Sequence, residues 1–278
     1  MPKKFLLVSG LLLAILLGGG IRYAKKHRER TITLPSVLPY VSPRTSTMTS
    51  PVAEMPSLAP STSRSIPTPV ASIPSLPSAT VLPPISPPTL AAEVNLAIPF
   101  AVQAPYQNWE APYDEFCEEA SVLMAASYIL NRTLPNAATI DAGLLAIKAF
   151  EEERFGYYKD TTAEETAVIL REYFNISNVA VVYDPTIEDI KKAIAAGRAV
   201  IVPAAGRQLL NPYFRQPGPL YHMLVIKGYL RDGTFITNDP GTRRGADFLY
   251  DPEVLLGAVH DWNGGDVENG RKVMIVVG

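Results

Sequence analysis

The sequence predicts an α+β domain of two facing layers, N-terminal helices packed on an antiparallel sheet, over residues 94–278. Three observations carry that expectation. Helical periodicity and capping signals dominate from about residue 115 to 197, strand-like apolar runs dominate after 199, and a turn at Asp232-Gly233 joins two of the late strands as a hairpin.

Ordered sequence resumes at Val94 with the run 96–100, and the remaining 185 or so residues suffice for one domain with a sizeable core. The first helix is expected over 115–130, where Ala120, Leu123, Met124, Ser127 and Tyr128 recur at three- and four-residue spacing. A second covers 140–153. A third begins at Thr162 with the capping signature Thr162-Ala163-Glu164-Glu165 and reaches 174. Residues 179–183 read as a strand, Thr186 caps a short helix ending at Gly197, and 199–203 is extended again. Strands are expected at 222–229 and 234–237, joined by a turn at Asp232-Gly233, and at 272–277. A helix capped by Asp251 with Pro252 in its first turn interrupts them and reaches about His260.

The N-terminal third differs in kind. The apolar stretch 5–21 and the basic cluster Arg22, Lys25, Lys26, Arg28 and Arg30 read as an uncleaved membrane anchor or signal segment over 1–30. Residues 31–93 are rich in Pro, Ser and Thr, a composition that cannot bury a core and reads as a disordered, semi-rigid spacer. A charge rule applied to the flanks puts the C-terminal domain in the cytoplasm, whereas a spacer suits a domain held off a membrane or across a cell wall. The expectation adopted is a single-pass anchor with an extracytoplasmic domain. Residues 94–278 carry 16 Lys and Arg against 24 Asp and Glu, an acidic balance without the electrostatic footprint of a nucleic-acid binder.

Cys117 is the single cysteine, which excludes an intrachain disulfide. It sits where a Gln-, Pro- and Trp-bearing loop (103–112) runs into the first helix, and a helix N-terminus favours thiolate. Downstream come His222, at the start of a strand-like run, and Asp239 in Asn238-Asp239-Pro240-Gly241. Cysteine, then histidine, then carboxylate reads as a thiol hydrolase, because a general base must be held on a rigid element within reach of its nucleophile. The plainer alternatives are a small buried hydrophobe at Cys117 and a turn initiator at Asp239. The carboxylate runs at 118–119 and 151–153 read as solvated helix faces, and His260 as surface or boundary packing. No metal or cofactor is expected.

These residues carry a resemblance. Val102-Gln103-Ala104-Pro105 followed by Asn108-Trp109, then Asp114-Glu115-Phe116-Cys117-Glu118-Glu119-Ala120-Ser121, then Tyr221-His222 with Gly228-Tyr229, and finally Asn238-Asp239-Pro240-Gly241 together resemble the bacterial papain-like cysteine peptidases of the C39-like family. The resemblance implies a papain-like fold over 94–278 and a peptide or peptide-like substrate. It also implies Cys117 as nucleophile, His222 as general base and then acid, Asp239 as the group orienting the imidazole and Gln103 as an oxyanion donor. Two spacings depart from the family pattern: Gln103 stands fourteen residues before the cysteine, and Glu118 follows it where a glycine is common. Gln107 is therefore a rival for Gln103, and Asn238 for Asp239. Two other functions share these residues: a catalytically silent module that captures peptides or cell-wall components, and a cell-wall endopeptidase of different topology.

Overall fold

A computed structural model describes residues 32–41 and 90–278; the expected anchor and most of the expected spacer lie outside the described residues. Among the described residues no helix is long and apolar enough to cross a membrane.

The chain enters through β1 (Val94–Asn95), crosses a long loop and makes a 3-10 turn at Tyr113–Glu115 before α1 (Cys117–Ile129). The expected helix start at 115 is thus displaced by two residues. Phe116, at φ −91° and ψ 28°, breaks the helical path, so Cys117 becomes the first helical residue. Next come α2 (Ala137–Phe155), capped by the Asn136 side chain and ended by Gly156 in the left-handed region, and α3 (Ala163–Val168), which continues as a π turn over Ile169–Tyr173. The Thr162–Glu165 capping box expected for α3 is present, and a second one, Thr186 with Asp189, opens α4 (Ile187–Ala195). Asp251 caps α5 (Pro252–Ala258) through the N–H groups of Glu253 and Val254, with Pro252 in the first turn.

The strands are β2 (Val179–Tyr183), β3 (Ala199–Ala205), β4 (Tyr221–Tyr229), β5 (Phe235–Asn238), β6 (Phe248–Tyr250) and β7 (Val273–Val277). They form one sheet in the order β2-β7-β3-β4-β5-β6, with β1 added beside the end of β4, and every strand pair is antiparallel. The α+β class and the order of helices before sheet are those the sequence predicts. β6 is an addition, too short to show alternation. Successive strand residues face opposite sides, and every residue of β3, β4, β5 and β7 is buried, so the middle of the sheet is covered on both faces.

The helix α1 packs against β3, β4 and β7, and residues 117–128 are all buried. It is a central helix rather than an amphipathic one, and that overturns the reading of its carboxylates as a solvated face. Gly228 lets β1 reach β4: a Cβ there would lie 2.3 Å from the Val94 carbonyl oxygen.

Residues 32–41 lie on this domain. Leu38 N–H donates to Asn95 O (2.7 Å), Ala97 N–H to Leu38 O (2.8 Å), and the Asn95 amide to Pro35 O (3.2 Å). The Tyr40 ring meets Tyr128 of α1 edge-on at 5.4 Å. Ten residues of the expected spacer therefore run beside β1, where backbone pairing and one aromatic contact hold them.

Candidate active site

Cys117 and His222 line one cleft of about 1060 Å³, together with Gln103, Trp109, Phe214 and Gly241. The two come from different layers, the sulfur from the first turn of α1 and the imidazole from the start of β4. Antiparallel pairing with β3 fixes the latter, setting Ala204 opposite His222.

The histidine is held from one side by a carboxylate. His222 Nε2 lies 2.8 Å from Asp239 Oδ1, and both side chains are buried. Asp239 also accepts from the Gly241 N–H (3.0 Å) at Oδ1, and from the Tyr250 hydroxyl (2.6 Å) and the Asn211 amide (2.9 Å) at Oδ2. Burial pushes its pKa up, but the His222 charge and the hydrogen bonds from His222, Tyr250 and Gly241 outweigh this and hold it below the ordinary carboxylate value. The Phe214 ring stands edge-on to the imidazole at 5.1 Å. Gly241 leaves room for that imidazole, since a Cβ would come within 2.8 Å of His222 Cε1 and 2.9 Å of Phe214 Cε1.

The sulfur sits in a different field. Cys117 is 6% exposed, and its Sγ donates to Glu118 Oε2 at 2.9 Å. Burial first, then the charge and hydrogen bond of Glu118 and the charge of Glu119, push the thiol well above its ordinary pKa, opposed by a hydrogen bond with the Met223 backbone. The helix-terminus argument for thiolate is thus outweighed in this resting geometry. Asp114 and Glu115, the acids nearest before the helix, contribute less here than the two that follow the cysteine.

Gln103 lies against this site but with its amide turned to the chain. Nε2 donates to both Tyr113 O and Asp114 O at 3.0 Å, committing its two hydrogens to the turn that precedes α1. The oxyanion role expected of that amide is not met in this geometry; it fixes the approach to Cys117 instead. The rival Gln107 is exposed, and its Oε1 accepts from Arg243 Nη1 (2.8 Å) across the cleft rim. Asn238 points to the N-terminal segment, donating to Ile98 O (3.0 Å) and Pro99 O (3.3 Å), while Asp239 takes the position beside His222. Tyr113 packs edge-on against Phe116 and donates to Asp141 (2.6 Å), whereas Trp109 lines the cleft. His260 is half-buried at the boundary, with Nδ1 2.7 Å from Gly270 O.

Sequence reasoning missed Asn211, Tyr250, Phe214 and the burial of Glu118, Glu119 and Glu151. The first three stand in a loop without periodicity and on a three-residue strand, where no local pattern announces a contact with residue 239 or 222. Glu151, on α2, is 0% exposed and meets Glu119, also 0% exposed. None of the four carboxyl oxygens of that pair has a hydrogen-bond partner among the described residues, so either carboxyl buried as an anion would be uncompensated. Among the described residues no group of three or more His, Cys, Asp or Glu is arranged to hold a metal ion.

The sequence model of the Peptidase_C39 like family matches residues 96–253, which span both Cys117 and His222. No curated protein matches the chain. The structure is similar to that of a candidate C39-like peptidase from Bacillus anthracis, at 17% identity, covering 67% of this chain and 97% of that one with a TM-score of 0.45. It is also similar to a fragment of Prevotella intermedia prointerpain A, at 15% identity and a TM-score of 0.34, covering 50% of this chain and 41% of that one.

Proposed function

The chain belongs to the Peptidase C39-like family, and from that premise we propose that it is a membrane-tethered cysteine peptidase or amidase hydrolysing a peptide or peptide-like bond. The observation that carries this reading is one cleft shared by the single thiol and an imidazole whose Nε2 is tied to a buried carboxylate at 2.8 Å.

In the proposed reaction His222 Nδ1 takes the thiol proton, and the Cys117 thiolate attacks the carbonyl carbon. The backbone N–H of Cys117, at the helix start where it has no intrahelical acceptor, receives the developing oxyanion. Imidazolium protonates the leaving nitrogen, the C–N bond breaks, and a thioester remains. Water deprotonated by His222 then cleaves the thioester, releasing the acid and restoring the thiol. Asp239 keeps the proton on Nε2, so that Nδ1 is the nitrogen that exchanges protons. Gln103 acts here as the anchor of the turn before the nucleophile.

A thiol-directed peptidyl probe tests this. Wild-type protein is expected to label at Cys117 at least about 100-fold faster at neutral pH than His222→Ala, the usual magnitude for loss of a general base. Cys117→Ala should neither label nor hydrolyse. Equal slow labelling in wild type and His222→Ala would sink the enzymatic reading and favour the silent binding module, a reading supported by the resting hydrogen bond of the thiol to Glu118. Digestion of purified peptidoglycan separates cell-wall from other peptide substrates.

The tether is proposed from the apolar stretch 5–21 and its basic flank, with the domain outside the cytoplasm. Added protease should reach the domain in cells whose cytoplasm stays sealed; protection from it would reverse the orientation.

A further inference from the structure

Resting on the proposed catalytic role of Cys117, the surroundings of its sulfur point to one more participant. Glu118 follows the cysteine in the first turn of α1, is 1% exposed, and places Oε2 2.9 Å from Sγ. Its other oxygen, Oε1, has no hydrogen-bond partner among the described residues. An ionised carboxylate so placed can only accept, and the proton it accepts is that of the thiol. A neutral carboxyl can donate.

We infer that Glu118 is a catalytic residue that gates the nucleophile. Ionised, it holds Cys117 as S–H; protonated, it donates its O–H to the sulfur and supports the thiolate once the thiol proton has passed to His222 Nδ1. Protons balance without any further reactant, because the thiol proton moves to the imidazole and the carboxyl proton stays on Glu118 until solvent removes it.

The charges facing this carboxyl favour its neutral form. On its own helix stand Glu119 and Cys117, from α2 comes Glu151, from the 3-10 turn Glu115, from the loop before α3 Asp160, and from β4 Tyr221; His222 of β4 lines the same cleft, and as imidazolium it acts in the opposite sense. Lys159, the cation beside Asp160, is engaged by Glu115 at 3.4 Å. Burial, ahead of the opposing hydrogen bond from Cys117, pushes Glu118 up to about 8, within the range where a cell-surface or cytoplasmic enzyme works. The gate therefore closes as pH rises.

The test reads the thiol itself, and Cys117 is the one cysteine to react. Iodoacetamide alkylation is measured from roughly pH 5 to 10 for wild type and Glu118→Gln, each also with His222→Ala; the amide keeps shape and can donate to a thiolate at any pH. At the alkaline end Glu118→Gln is expected to react about tenfold faster than wild type, the consequence of a thiol pKa lower by roughly one, and in both backgrounds. With His222 present, the alkaline fall in probe labelling should move upward in pH. Superimposable wild-type and Glu118→Gln profiles in both backgrounds would overturn the gate. Failure of the catalytic reading looks different: alkylation near pH 6 would then be indifferent to His222→Ala, while the Glu118 effect would persist. Glu118→Ala guards against a peculiarity of the amide and should shift alkylation in the same direction.

Discussion

Asp239→Ala is expected to slow probe labelling of Cys117 by about 10²- to 10⁴-fold and to destabilise the domain by roughly 3–5 kcal/mol. The kinetic loss comes from the imidazole. Without Oδ1 at 2.8 Å nothing fixes the tautomer, and Nδ1 need not be the nitrogen that can accept a proton. The stability loss comes from stranded donors: the Tyr250 hydroxyl, the Asn211 amide and the Gly241 N–H all lose their acceptor in a place water does not reach. Asp239→Asn should lose less in rate, because it still offers an oxygen to His222, yet its amide would face the Asn211 donor. The pH dependence follows from the lowered pKa of Asp239. Its contribution is complete above the ordinary value of about 4 and is lost as pH falls through the lower folded value, so wild type and Asp239→Ala should converge in acid. Denaturant titrations at neutral and acid pH, with labelling rates beside them, check both parts. An alanine variant that labels within about threefold of wild type would remove Asp239 from the mechanism.

The local signals in this chain are strong where chemistry is written into neighbouring residues. Thr162 with Glu165, Thr186 and Asp251-Pro252 announce three helix starts because a cap is a contact between residues two or three apart. Asp239-Pro240-Gly241 is legible as a turn, but the need for glycine at 241 arises from the His222 and Phe214 rings, which only the fold brings there. The carboxylates mislead for a related reason. Glu-Glu in a helix is a solvated face in most chains, and here α1 has no solvated face, because helix and sheet enclose it. Asn211 and Tyr250 are illegible because their partner lies 28 and 11 residues away through a loop without periodicity.

Raising the pH from about 5 to 9 is expected to destabilise this domain, against the usual behaviour of proteins whose buried carboxylates are salt-bridged. Glu119 and Glu151 meet between α1 and α2, and among the described residues no cation forms an ion pair or hydrogen bond with either. Burial first, then their mutual charge and that of Glu118, push Glu119 well above its ordinary pKa; burial likewise drives Glu151 to about 9. A carboxyl with a raised folded pKa binds its proton more tightly in the native state than in the unfolded chain. Its stabilising effect is therefore complete below about 4.5 and is lost as pH rises through the folded value. Each tenfold gain in proton affinity on folding is worth about 1.4 kcal/mol, so ionising the pair should cost on the order of several kcal/mol across that window. Glu119→Gln with Glu151→Gln removes both titrations while keeping a donor and an acceptor at the contact. The double variant should show a flatter dependence of unfolding midpoint on pH and exceed wild type at pH 9. A wild-type midpoint that rises between pH 5 and 9 would mean that these carboxyls ionise in the native state without penalty, and that the interface between α1 and α2 holds two charges that this geometry gives no means to neutralise.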